Sequence, residues 1–119
     1  MNPVTGLSLG RVVIGLLCIF SPPMAAKLFR LDAEANPQLP YLSRMFGSRE
    51  IALGALTLAA TGSARRNLIL VGIAVDGADG VAGHLAGREG YVSKTTGTFL
   101  TLPAIAAVVA GVVGLGGKR

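Results

Sequence analysis

Apolar positions fall in four stretches of membrane-crossing length, separated by short polar segments. Residues 4–26 carry one charge, Arg11, and their most apolar stretch is residues 12–20. A second stretch covers about 41–61 and is crowded with small residues; a third covers about 67–87, and a fourth, about 98–116, is uncharged. Each has the roughly 20 residues that an α-helix needs to cross a bilayer. The predicted architecture is therefore all-α: one integral membrane domain, residues 1–119, built as a four-helix bundle.

The connections are predicted from local chemistry. Pro22 and Pro23 each lack an N–H and clash one turn back, so they bend or end the first span. Residues 27–40 form the longest polar connection, where Pro37 and Pro40 stop any helix begun near Lys27. The segment GSARRN reads as a tight polar turn and REGYVSKTTG as a short loop. Tyr41 sits where an interfacial aromatic belongs.

Composition strengthens this picture. Of 119 residues, 51% are hydrophobic and 14% charged, with a mean hydropathy of +0.62, against roughly a quarter charged in soluble domains. The net charge is +5, but the basic residues lie at helix ends and in loops without interleaved aromatics, so no nucleic-acid partner is expected. Arg65, Arg66, Lys118 and Arg119 read as cytoplasmic anchors, balanced by Lys27, Arg30, Arg88 and Lys94 on the other side. Arg11 tips the balance towards a cell-membrane protein with both termini cytoplasmic. Arg11, the apolar run and SPPMAA follow the order of a signal peptide, but Met24 or Pro23 occupies the position where cleavage needs a small residue. The single Cys18 reads as a small buried hydrophobe.

Candidate chemistry concentrates in the second and third spans. Arg44, Arg49 and Glu50 lie in SRMFGSREIALGALTL, and Asp76, Asp79 and His84 in VGIAVDGADGVAGHLAG. Ionisable groups at membrane depth persist when paired, facing a polar interior or neutralised. If the hairpin turns near Arg65, Arg49 lies level with residue 80, and Asp76 roughly 6 Å deeper, within reach of its guanidinium. Asp76 and Asp79 share a face at i, i+3, and Arg44 and His84 lie opposite each other near the surface. The group describes a polar pocket opening away from the Arg65–Arg66 turn. One His and one Cys on different spans make no soft metal site, and arginines compete for the carboxylates; no metal and no cofactor are expected. Glycines such as Gly47, Gly54, Gly83 and Gly87 let helix backbones approach closely.

The segments RVVIGLLCIFSPPMAAKLF, NPQLPYLSRMFGSREIALGALTL and RRNLILVGIAVDGADGVAGH together resemble a family of small uncharacterised actinobacterial membrane proteins, a domain of unknown function distantly similar to DoxX-type four-helix proteins. The matching positions are Arg11, Arg44, Gly47, Arg49, Glu50, Asp76 and Asp79. The resemblance implies a four-helix membrane fold and no assigned activity.

Three functions follow in order. The first is an accessory or scaffold subunit of a larger membrane complex, with another membrane protein or a second copy as partner, where the charges only hold helices together. The second is a self-contained binder or carrier of a small or lipidic molecule, or of protons, through the Arg/Glu/Asp cluster. The third is a membrane-embedded acid–base isomerase or cyclase using Asp76, Asp79 or Glu50.

Overall fold

The computed structural model describes residues 2–116. Among them are five helices: α1 (Pro3–Phe20), α2 (Pro22–Leu28), α3 (Leu39–Ala59), α4 (Gly62–Arg88) and α5 (Lys94–Leu115). The count differs from the expected four because the prolines act differently at each place. Pro22 and Pro23 end α1 and open the short α2, since a missing N–H costs nothing in a first helical turn. Pro40 likewise sits in the opening turn of α3 rather than stopping a helix.

Three helices, α1, α4 and α5, are long and apolar enough to cross a membrane. The expected second span is α3, a helix of 21 residues that carries Arg44, Arg49 and Glu50 and is not among these three. GSARRN, expected as a turn, forms the first turns of α4, and the chain reverses at Ala60 and Thr61 instead. Gly62 permits this with φ of +60°, a left-handed conformation that a side chain would resist. Arg65, read from sequence as a surface anchor, is consequently buried, while Arg66 is exposed. Lys118 and Arg119 lie outside the described residues.

The long helices form two antiparallel pairs, α1 with α3 and α4 with α5, which meet each other less extensively. Buried residues on α1 recur alternately four and three apart, at Val4, Ser8, Arg11, Gly15 and Cys18. On α3 the matching seam contains Gly47, Glu50, Gly54 and Thr57. Two helical rows at this spacing can face each other along their length. Contact is close because the seam is small: a Cβ on Gly47 would lie 2.6 Å from the Gly15 carbonyl oxygen. Gly87 and Gly97 bring α4 and α5 together in the same way near their connecting loop.

Polarity is inverted relative to a water-soluble domain. Ser8, Arg11, Glu50, Arg65 and Asp76 are buried, whereas Val13, Phe20, Leu102, Val109 and Val113 face outward. A soluble fold seldom exposes so many large apolar side chains while enclosing its charges.

The seam makes a direct prediction. Gly47→Ala places its methyl against backbone that cannot move aside and should lower stability by about 1–3 kcal/mol. Gly10→Ala, whose Cβ would meet nothing within 4 Å, should be neutral or stabilising by the helix propensity of alanine. Thermal unfolding in detergent compares the two, and equal losses would refute the close α1–α3 contact.

Candidate functional site

The seam positions of three helices converge on one guanidinium. Arg11 lies midway along α1, where Nη1 donates to Glu50 Oε2 of α3 at 3.0 Å and to Asp76 Oδ1 of α4 at 2.9 Å. Its Nη2 also donates to Asp76 Oδ2. All three residues are at least nine-tenths buried: Arg11 is 8% exposed, Glu50 3% and Asp76 4%. A guanidinium presents several donors in a fixed plane and can engage two carboxylates at once, which an ammonium does less well.

Beside this triad is a second, partly exposed pair. Arg49 Nη2 donates to Asp79 Oδ2 at 2.8 Å and stands 3.6 Å from Glu50 Oε1. Its guanidinium also lies over the Phe46 ring, 4.9 Å from the centroid, an arrangement favourable to a cation. The sequence places both Asp76 and Asp79 within reach of Arg49; in the structure Arg49 takes Asp79, and Asp76 goes to Arg11, which the sequence-based expectation does not pair with it. The signal for Arg11 was its being the one charge in the first span, facing an excess of carboxylates elsewhere.

Arg44 has a different task. In an α-helix the carbonyls of Cys18 and Ile19 would accept from the N–H groups of residues 22 and 23, and both are prolines. Ser43 Oγ donates to the Cys18 carbonyl at 2.7 Å, and Arg44 Nε to the Ile19 carbonyl at 3.2 Å. The SR dipeptide of α3 thus satisfies the two carbonyls that the PP dipeptide leaves open. His84 is exposed on α4 and takes no part in the cluster's hydrogen bonds.

Between the two helix pairs lies a chamber of about 730 Å³ that is open to the surroundings rather than enclosed, with Leu28, Leu42 and Phe99 exposed along its walls. Arg11, Glu50, Asp76 and Asp79 supply its polar patch, while Ile14, Leu42, Phe46, Ala86, Leu100 and Ala104 are among its apolar walls. It reaches α2 and the following segment at Phe29 and Leu31, so it extends from the charges towards the end opposite the Ala60–Thr61 turn. Phe29 and Phe46 meet edge to face, with centroids 6.0 Å apart, and Arg30 stacks over Phe99 at the same end. Volume and lining fall within the range of small-molecule pockets, which combine apolar walls with a few convergent polar groups.

Glu50, Asp76 and Asp79 each bring a carboxylate oxygen within 4.8 Å of the others. Such a trio suits a hard cation in principle, but here two guanidiniums supply the counter-charge directly.

Removing the Arg11 charge would leave two buried carboxylates facing each other. Arg11→Met should cost about 3–5 kcal/mol, and adding Glu50→Gln with Asp76→Asn should recover part of it. Arg49→Met, at a partly exposed pair, should cost about 1 kcal/mol or less. Detergent melting of the series checks this, and a larger loss for Arg49→Met would reverse the assignment of the central cation.

A family model described as a domain of unknown function, DUF4267, matches residues 8–116. No curated protein and no solved structure matches the chain.

Proposed function

The chain belongs to the DUF4267 family of domains of unknown function, and we propose that it is a small integral membrane protein that binds one small apolar or lipidic molecule between its two helix pairs. The observation that carries this reading is the chamber of about 730 Å³, apolar in its walls and charged along one side. Helices held together only by ionic glue have no need of such a space, because close packing is the lower-energy arrangement. A ligand with an apolar body does account for it.

In this reading four helices, α1, α3, α4 and α5, cross the cell membrane with both termini cytoplasmic, and the resemblance to DoxX-type proteins likewise implies a four-helix membrane fold. The charges of α3 are compatible with that depth because Glu50 faces Arg11 and Arg49 faces Asp79. A role as an accessory subunit draws on a separate observation, the outward face of α5, where Leu102, Ile105, Val109 and Val112 are exposed. That face serves equally well against lipid tails, whereas the chamber sets a charged patch beside its apolar walls. Binding therefore ranks above scaffolding, and acid–base catalysis would be a further property of the same chamber.

Native mass spectrometry of the protein released from mild detergent tests the reading. One small-molecule adduct per chain is expected, and it should be lost in a folded Ala86→Phe variant, whose ring would occupy the chamber. Retention of the same adduct by Ala86→Phe would place binding elsewhere. A stoichiometric larger protein with no small molecule would instead favour the subunit role.

A further inference from the structure

The acceptors that the cluster leaves over define the head group of the ligand. Arg11 spends Nη1 on Glu50 Oε2 and Asp76 Oδ1, and Nη2 on Asp76 Oδ2. Arg49 Nη2 is spent on Asp79 Oδ2. Two carboxylate oxygens remain without a hydrogen-bond donor among the described residues, Asp79 Oδ1 and Glu50 Oε1, the latter 3.6 Å from Arg49 Nη2. Glu50 and Asp79 both line the chamber, while Arg49 does not. Glu50 and Asp79 thus each offer a visitor a free acceptor, and of the five guanidinium N–H groups of Arg11 three are already engaged by carboxylates.

Charge points the same way. Three carboxylates and two guanidiniums meet here, so the ionised cluster carries one negative charge in excess. Little water can reach Glu50 or Asp76, and an uncompensated charge in such surroundings is costly. Unlike a carboxylate or phosphate ligand, which would add to the excess, a monocation would cancel it.

We propose that the chamber takes an amphiphile with a protonated amine head and an apolar body, the ammonium lodged against Glu50 and Asp79 and the body along the wall formed by Ile14, Phe46, Leu100 and Ala104. This rests on the reading of the chamber as a ligand site and adds the sign of the head group. An ammonium has three donors and no acceptor, which matches what Glu50 and Asp79 leave open. The apolar walls contribute affinity without regard to the head, so selectivity falls to these two carboxylates.

The test uses the full chain in detergent with three probes of equal tail length: dodecylammonium, dodecanol and dodecanoate. Binding is read from the rise in unfolding temperature as each probe is added. Dodecylammonium should bind at least about tenfold more tightly than dodecanoate, with dodecanol between them. Asp79→Asn removes one acceptor charge from a partly exposed site and should bring dodecylammonium close to dodecanol. If that variant does not fold, the three probes on the unaltered chain decide the matter alone. Equal binding of all three would overturn the ammonium assignment and leave the ligand chamber standing. Tightest binding of dodecanoate would overturn it in favour of recognition by Arg11, the arginine in the chamber's lining. No binding of any probe would remove both the assignment and the chamber reading on which it rests.

Discussion

The joining of the two helix pairs is arranged around one buried guanidinium, that of Arg11. Arg11 sits in the middle of α1 and answers carboxylates from α3 and α4 at the same time. A buried charge is tolerable only when its partners are held in good geometry, because desolvation costs several kcal/mol per ion and only close, hydrogen-bonded contact offsets it. The helices that supply Glu50 and Asp76 must therefore keep their register relative to α1. Gly15 and Gly47 allow the α1 and α3 backbones to approach closely enough for that. The third helix belongs to the other pair, so the same arginine ties the two pairs together where they otherwise meet less extensively.

That division of labour leaves the chamber. Small residues draw α1 to α3 and α4 to α5, which uses up the close contacts within pairs and leaves space between them. Arg11 bridges this space on one side, the Arg49–Asp79 pair joins α3 to α4 beside it, and α2 with the segment after it lies at one end. The two prolines that start α2 also open two carbonyls of α1, which Ser43 and Arg44 close from α3. Within one stretch of α3, Ser43 and Arg44 thus secure the end of α1, Gly47 sets the helix separation, and Glu50 joins the polar side of the chamber. These residues are close in sequence because successive turns of one helix face α1 in succession.

The long helices were legible because a helix that turns apolar side chains outward must be apolar over its whole length, and that needs no knowledge of its neighbours. Their ends were less so: GSARRN has the composition of a turn, yet once Gly62 reverses the chain the following residues propagate a helix, and Arg65 is carried inward. Glu50, Asp76 and Asp79 stood out as charges inside apolar runs. Asp79 was within the reach assigned to Arg49, but the pairing of Glu50 and Asp76 with Arg11 was hidden, since matching depths along one hairpin considers α3 and α4 and leaves out α1, which is distant in sequence and adjacent in space. Arg44 looked like a member of the cluster for the same reason that its actual task was hidden: a carbonyl freed by a proline on another helix leaves no mark beside the arginine that satisfies it.

The central claim is that Arg11 bonds Glu50 and Asp76 together inside the folded chain, and solid-state NMR in a lipid bilayer measures it most directly. With arginine nitrogens and carboxylate carbons labelled, the Arg11 guanidinium should show through-space contact to the carboxylates of both Glu50 and Asp76 and none to lipid phosphate. Contact of Arg11 with lipid phosphate, together with contact of Arg49 with Asp76, would contradict the account.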